Sequence, residues 1–519
     1  MEESRVDKSI KNTTFGMIGL AVSLLVQFIS RTIFIKLLGD EYNGINGLFT
    51  NILSVLNLAE LGFAYSIAYA LYAPLQSADK EKICAIMNYL RKIYYLIAVV
   101  VGVAGLICVP FLQYLIKEDI STLPFALKQI RIYFVVYLAN TVFSYIWSYK
   151  RTLITADQKT YLVSNADNLS NILLYSVQIV LLLIWKNYYL YLVLMLVKTI
   201  GTNVVLTFIA DKKYPFLKEN RNVRLNKEEC GRILKNVGAM FFHKVGSVVI
   251  YGTTTIIISA FVSLIEAGWY SNYVLIVSAV SSFINIIFNS ITASVGNLCV
   301  TADKEYQKKV FSRISYVANF LAIFAFVCYV VLFNDFVTLW VGGDKTFSLA
   351  VIVVISASSM ITILRSAPNT FKNAQGLFVK DWYKPIVEAG IAIILAIVFS
   401  FVWGTFGVLF GYMLGAIVAV PIENMVLYKY GFEGTKKEFF EQLLRLLGCA
   451  LLAGAMAALV YFICSFMPQG LGWFIIKAVF SVCFVCVLYV ALTFRTDGFH
   501  YYKNMSKDIF KKIFKRNKN

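Results

Sequence analysis

The stretch that decides the fold is residues 13–38, which read TTFGMIGLAVSLLVQFISRTIFIKLL. It exceeds the ~20 residues that a helix needs to cross the hydrocarbon core of a bilayer, and its only charged residues are Arg31 and Lys36. Similar runs recur along the 519 residues, of which 59% are hydrophobic and 15% charged, with a mean hydropathy of +0.71. Soluble domains are nearer ~45–50% apolar and ~25% charged. The composition therefore predicts an all-α membrane protein and excludes an ordinary soluble enzyme.

Hydropathy predicts fourteen transmembrane helices, with twelve as the alternative. The weakest signals are the fifth run, which carries Asp167 and Asn168, and the last two. The predicted spans lie near 13–38, 45–74, 90–116, 130–149, 161–185, 188–210, 236–262, 269–298, 314–333, 347–367, 383–402, 406–428, 443–466 and 471–494.

The Lys and Arg residues predict the orientation. Most of the 48 lie in the two terminal segments and in the loops on the side of the N terminus. The loops on the opposite side carry Lys117, Lys128, Arg131, Lys186 and Lys345. By the positive-inside rule both termini are cytoplasmic. The net charge of +19 is therefore attributed to orientation and to the lipid surface, and no nucleic-acid partner is expected.

An internal repeat predicts the domain organisation. A shift of 224 residues places Ala78-Asp79-Lys80-Glu81 on Ala302-Asp303-Lys304-Glu305, and the alternative is chance similarity of apolar sequence. Six spans per copy imply two lobes related by an axis along the membrane normal. The predicted parts are an N-lobe at 1–225, a C-lobe at 226–430, two further spans at 431–494 and a basic amphipathic tail at 495–519. We expect the tail to lie on anionic lipid, with a disordered tail as the alternative.

Polar residues inside the spans predict the binding site, because a charge at mid-bilayer costs ~2.5–3.5 kcal/mol or more and must face protein or water. Cations outnumber carboxylates at these depths, so the predicted cavity favours an anionic ligand. The predicted substrate-binding residues are Gln27, Arg31, Asn57, Lys198, His243 and Lys244. Glu60 is either a coupling site or a structural ion-pair partner of Arg31. Arg365 and Lys477, near the ends of their spans, are predicted to be interfacial anchors.

No catalytic, metal-binding or cofactor-binding residues are predicted. The chain has two histidines, too few for a histidine-built metal site, and it lacks a phosphate-binding Gly-x-x-x-x-Gly-Lys-Ser/Thr loop. Cys483 and Cys486 form a C-x-x-C within the last apolar run, where two small buried hydrophobic residues are the simpler interpretation. The protein is therefore not expected to be an enzyme, and no cofactor is expected.

Two segments resemble a known family. Residues 28–75 read FISRTIFIKLLGDEYNGINGLFTNILSVLNLAELGFAYSIAYALYAPL, and residues 243–276 read HKVGSVVIYGTTTIIISAFVSLIEAGWYSNYVLI. They resemble bacterial Wzx-type polysaccharide repeat-unit flippases, which belong to the superfamily of multidrug and toxin extruders and the lipid II flippase. Arg31 matches the arginine of the family's first span. The chain departs from the family at Thr253-Thr254-Thr255, where relatives often carry an Asp.

The resemblance implies a two-lobed transporter in the bacterial cytoplasmic membrane with a cationic central cavity. Its substrate would be an undecaprenyl-diphosphate-linked oligosaccharide whose diphosphate binds Arg31, and its partners would include a polysaccharide polymerase and glycosyltransferases. Alternating access would be driven by an ion gradient or by removal of product through polymerisation. The alternatives are a multidrug/cation antiporter of the same fold and, less favoured, a membrane enzyme of polysaccharide assembly. The short predicted extracytoplasmic loops argue against the enzyme.

Overall fold

Long apolar helices build the protein, as its hydropathy requires. The computed structural model describes residues 5–57, 70–71, 74–157, 159–219, 223–231, 248, 252–377 and 380–516. No strand occurs within these ranges, and the prediction of an all-α membrane fold is confirmed.

The main helices are α1 (Arg5–Leu38), α2 (Asp40–Leu56), α3 (Lys80–Cys108), α4 (Leu127–Ile146), α5 (Ser148–Ala156), α6 (Thr160–Trp185), α7 (Tyr188–Lys213), α8 (Gly252–Phe261), α9 (Leu264–Thr301), α10 (Lys304–Val341), α11 (Leu349–Leu364), α12 (Ser366–Ala374), α13 (Lys384–Val426), α14 (Lys436–Ser465), α15 (Leu471–Thr493) and α16 (Asp497–Arg516).

Ten helical segments of the described residues are long and apolar enough to cross a membrane. The count is eleven if α4 and α5, bent by 46° at their junction, form one span. Helix α13 contains two predicted spans, because the chain reverses at Gly404 with φ 56° and ψ −136°. Glycine adopts a positive φ without steric cost. Two other predicted spans, 45–74 and 236–262, lie partly outside the described residues.

The two halves of α13 pack closely as a helical hairpin. A Cβ added at Gly407 would collide with Phe399 of the facing half, and one at Gly411 with Ala396. A Cβ at Gly415 would collide with Ala392 and with the Glu388 carbonyl. Small residues at intervals of four let helix backbones approach in a membrane, where burial of apolar surface supplies no driving force. The hairpin therefore brings the beginning and the end of α13 to the same end of the protein.

The chain forms two compact units, residues 1–271 and 272–519. In the first, α1 packs on α6, α3 on α4, and α7 on both α4 and α6. In the second, α10 packs against α11, α14 and α15. The two final spans, α14 and α15, thus belong to the second unit. The predicted lobe boundary at residue 225 stays a prediction.

The repeated tetrapeptide has the same local structure in both copies. The backbone N–H of Lys82 donates to Asp79 Oδ1 at 2.9 Å at the start of α3, and that of Tyr306 donates to Asp303 Oδ1 at 2.7 Å at the start of α10. Aspartate is a preferred N-cap because its carboxylate satisfies an otherwise unpaired backbone donor. Helix capping therefore gives a physical reason for the match between residues 78–81 and 302–305.

The C-terminal tail forms helix α16, whose beginning is bound to α10. Arg313 donates hydrogen bonds to both oxygens of Asp497, at 2.8 and 3.3 Å, and its guanidinium lies 4.1 Å from the ring centroid of Tyr501. The rings of Tyr316 and Tyr502 stack with centroids 6.1 Å apart. The predicted tail is thus helical and attached at its first two turns. Its contact with lipid stays a prediction.

We expect this attachment to persist from neutral pH down to about pH 4 and to weaken only below it. The hydrogen bonds from Arg313 hold the pKa of Asp497 below its ordinary value of 3.8. Because folding lowers this pKa, the stabilisation is fully present above the ordinary value of 3.8. It is lost as the pH falls further and Asp497 becomes protonated. Hydrogen–deuterium exchange of residues 498–505, corrected for intrinsic rates, should show protection at pH 7 that Asp497→Asn removes. Equal protection in the variant would contradict this account.

Candidate functional site

Arg31 lies on α1 within a cluster of tyrosines from three other helices. The residues that interact electrostatically with its guanidinium are Tyr137 on α4, Tyr175 on α6, and Tyr188 and Tyr191 on α7. Tyr137 and Tyr188 are both buried. Phenol hydroxyls can both donate and accept hydrogen bonds, whereas a guanidinium only donates. The site therefore combines a permanent positive charge with several adaptable hydroxyl groups.

An aromatic layer extends from this cluster toward the end of the unit where α1 ends and α7 begins. The ring centroids of Phe34 and Tyr191 are 4.8 Å apart. The ring centroid of Tyr188 lies 5.0 Å from that of Tyr42 and 4.8 Å from that of Tyr133. Edge-on and tilted pairs at these distances are favourable ring geometries. The layer packs tightly around the Arg31 cluster and fixes the position of its tyrosines.

Helix α6 is fastened to α7 at the level of Arg31. The side-chain amide of the buried Gln178 donates to the backbone carbonyl of Tyr191 at 3.0 Å. Gln178 lies three residues after Tyr175 on the same helix, so this bond fixes the relative height of two tyrosines in the cluster. Gln178 and Tyr191 lie on separate spans, so this bond forms only when the two helices pack together.

A second polar cluster surrounds Lys198, further along α7. Asp167 on α6 forms an ion pair with Arg151 on α5, and both interact electrostatically with Lys198. Arg151 Nη1 also lies 3.4 Å from Asn203 Oδ1, and Asn203 donates to the Ser144 carbonyl at 3.2 Å. Two cations therefore share one carboxylate, which leaves the cluster with a net positive charge.

The two clusters lie at different depths of the first unit. Lys198 is seven residues beyond Tyr191 on α7, and Asp167 is eight residues before Tyr175 on α6. At ~1.5 Å per residue these intervals are about 10 and 12 Å. The Arg31 cluster and the Arg151–Asp167 pair therefore lie at different positions along the helix axes. Lys198 lies between them along the same direction.

The remaining predicted site residues have less defined places. Gln27 is half-buried, one helical turn before Arg31 on α1. Asn57, just after α2, accepts a hydrogen bond from the hydroxyl of Tyr145 at 2.8 Å. Glu60, His243 and Lys244 lie outside the described residues. Of the predicted substrate-binding residues, Arg31 and Lys198 are thus the ones placed within polar clusters.

Buried charges in the second unit form a dense ion-pair network. Arg365 donates to both oxygens of Glu388, at 2.7 and 2.9 Å, and to both oxygens of Glu423, at 2.9 Å each. Lys384 is also paired with Glu423, and Lys372 with Asp381. Arg365 therefore joins α11 to both halves of α13. Its position is explained by this network rather than by the predicted anchoring at the membrane surface.

Lys477 is itself buried and forms an ion pair, in place of the predicted role as an interfacial anchor. Its ammonium lies 2.7 Å from a carboxylate oxygen of Asp335 on α10, and the Lys477 side chain is only 8% exposed. This ion pair fastens the last span, α15, to α10. Cations in the second unit thus balance carboxylates and hold helices together.

The second unit also contains a cavity of about 1160 Å³ between α10, α14, α15 and the beginning of α16. Its wall contains carboxylates, cations and four tyrosines, but none of the predicted binding residues. Lys308, on this wall, is already bound to Glu438 at 2.8 Å and to Glu305 at 3.0 Å. The five carboxylates on this wall also outnumber its three cations, so the clusters in the first unit are the stronger candidates for an anion-binding site.

Comparison with known proteins identifies the fold. No protein-family profile matches the chain, and no curated protein sequence matches it. Solved structures do: the lipid II flippase MurJ in an inward closed conformation matches with a TM-score of 0.65 and 13% identity, over 92% of this chain and 99% of that one.

Two further structures agree. An inward-facing multidrug resistance MATE transporter matches with a TM-score of 0.57 and 14% identity, over 79% of this chain and 96% of that one. A MOP-superfamily transporter from Pyrococcus furiosus, described as having a binding pocket of reverse polarity, matches with a TM-score of 0.51 and 16% identity. The match covers 81% of this chain and 95% of that one. At these identities the likeness is one of fold. The chain is a multi-pass membrane protein with the fold of the MOP-superfamily transporters.

Proposed function

We propose that the protein is a flippase that moves undecaprenyl-diphosphate-linked oligosaccharide repeat units across the bacterial cytoplasmic membrane for capsule, exopolysaccharide or O-antigen synthesis. The observation that carries the proposal is the placement of Arg31 among tyrosines inside the spans of a MOP-type fold. The family resemblance of residues 28–75 supports the same conclusion.

The chemistry of the site suits this substrate. A guanidinium offers paired, charge-assisted hydrogen bonds that match phosphate oxygens. Tyrosine rings and hydroxyls offer stacking surfaces and hydrogen bonds to sugars of different identity. The polyprenyl tail of such a lipid stays in the bilayer, so only the diphosphate and the sugars need a polar path. Arg31 and Lys198 would bind the diphosphate, with Gln27 and Asn57 near the sugars.

A cation antiporter is the second candidate, because MATE transporters share the fold. Such a protein needs carboxylates that can bind a cation or a proton. Four described carboxylates within the helices, Asp167, Asp335, Glu388 and Glu423, form ion pairs with Lys or Arg. This pairing favours a substrate of negative charge. Glu60 and residues 243–244, outside the described residues, keep their predicted roles.

In the proposed mechanism the two lobes rock around a cationic cavity, with both termini in the cytoplasm. Glycosyltransferases would supply the lipid-linked repeat unit on the cytoplasmic side, and a polymerase would consume it on the other. Product removal or an ion gradient would drive the cycle. The protein's own contribution is binding and orientation, without a covalent step.

Deletion of the chain in its native host should remove the sugar polymer from the cell surface. Lipid-linked repeat units should then accumulate on the cytoplasmic side, and the wild-type chain should restore the polymer. Polymer can be measured by immunoblot, and the accumulated lipid by mass spectrometry of extracts treated with a membrane-impermeant sugar-modifying enzyme. If the lipid-linked intermediate never forms, the chain acts earlier, as an enzyme would. An unaffected polymer with altered drug sensitivity would favour the antiporter.

A further inference from the structure

We propose that Arg151 is a second binding group for the substrate's diphosphate, and that Asp167 competes with the diphosphate for it. The inference rests on the proposed function and adds to it two residues that the sequence analysis did not place in the site. In the absence of substrate Asp167 holds Arg151. Arrival of a diphosphate displaces the carboxylate, so Arg151 and Lys198 bind the ligand together.

The accessibility of the Arg151–Asp167 pair allows such an exchange. Their side chains are 28% and 34% exposed, whereas those of Arg365 and Glu388 in the second unit are 13% and 6% exposed. A partly exposed ion pair costs less to open than a buried one, because breaking a buried pair leaves an uncompensated charge. The first pair is therefore suited to exchange partners, and the second to hold helices together.

The surroundings of Arg151 keep its guanidinium in place when Asp167 leaves. Asn203 Oδ1 lies 3.4 Å from Arg151 Nη1, and Asn203 is itself buried and bonded to the Ser144 carbonyl. A guanidinium donates through five N–H groups, so one anchor leaves enough donors for two phosphate oxygens. Preorganisation of this kind reduces the entropy lost on binding.

The location of the pair suggests the order of events. Arg151, Lys198 and Arg31 lie at successive heights, from the end of the first unit where α6 begins to the end where α1 finishes. If the N terminus is cytoplasmic, a diphosphate from the cytoplasmic leaflet meets Arg151 first and Arg31 last. Asp167 then regains Arg151 once the ligand has moved on. The Asp167 carboxylate thus favours release of the diphosphate from Arg151.

Removing the competitor should strengthen binding. For the purified full chain in detergent, we expect Asp167→Asn to bind geranylgeranyl diphosphate about tenfold more tightly than wild type, since Arg151 then offers its charge-assisted hydrogen bonds to the ligand without a competitor. Arg151→Gln should weaken binding by a similar factor. In the Arg151→Gln background, Asp167→Asn should give a clearly smaller gain, because only Lys198 then remains to benefit from the lost carboxylate. Dissociation constants from titration calorimetry check this cycle, with geranylgeraniol as the uncharged reference ligand.

A matched control is available on the same helices. Lys150 on α5 and Asp211 on α7 form an ion pair at 2.6 Å, so Asp211→Asn removes a neighbouring pair and should leave affinity unchanged. Weaker binding by Asp167→Asn, or an equal gain without Arg151, would overturn the inference while the proposed function stands. Wild-type protein that binds the diphosphate no better than the alcohol would overturn both.

Discussion

Replacing Arg31 by alanine is expected to reduce transport of lipid-linked repeat units by about a hundredfold or more. A phosphate group bound to a guanidinium makes two charge-assisted hydrogen bonds, each worth ~1.5–3 kcal/mol, and every 1.4 kcal/mol is a factor of ten. The tyrosines around Arg31 cannot replace its charge. Arg31→Lys should retain part of the activity, because it keeps the charge but loses the planar pair of donors.

The measurement is polymer at the cell surface together with accumulated lipid-linked intermediate, at matched levels of inserted protein. Lys36→Ala is the control, because Lys36 is an exposed cation five residues further along α1. It should leave transport near the wild-type level. Polymer at wild-type amounts in Arg31→Ala cells would remove Arg31 from the binding site and, with it, the main support for an anionic substrate.

The fold was largely predictable from hydropathy, since a bilayer permits few structures other than bundles of apolar helices. The turn at residues 403–405 was predicted as a gap between two spans, and it is the Gly404 reversal. Capping also acts locally, so Asp79 and Asp303 were visible as a repeated motif. Properties of this kind depend on residues close together in sequence.

The partners of the charged residues were less accessible to sequence reasoning. The predicted spans place Arg151 in a loop after the fourth span, but α5, bent by 46° from α4, places it beside Asp167. The bond from Arg365 to Glu423 spans 58 positions and exists only because α13 folds back on itself. A lone Asp in a predicted span, as at 167, was the available signal for the first pair. The tyrosine cluster had no signal, because its members lie on three helices.

The largest loss of stability is expected for Glu423→Ala. Glu423 is completely buried and accepts from Arg365 and Lys384, and removing it takes the carboxylate from the buried Lys384 and leaves Arg365 with Glu388. Breaking a buried ion pair by deleting one partner costs ~3–5 kcal/mol, more than the pair itself contributes, because the remaining charge stays desolvated. Since Arg365 joins α11 to both halves of α13, the loss should loosen three helical segments together.

The contrast with an exposed pair makes the test specific. Glu305→Ala removes a carboxylate that is 84% exposed in its pair with Lys308, and such pairs contribute only ~0–1 kcal/mol. Thermal unfolding in detergent should therefore show a large fall in midpoint for Glu423→Ala and little change for Glu305→Ala. Transport per folded molecule should be retained by Glu423→Ala at low temperature, because the network holds helices rather than ligand. Normal stability combined with lost transport would instead place Glu423 in the transport pathway, and an acidic site of that kind would favour the cation antiporter.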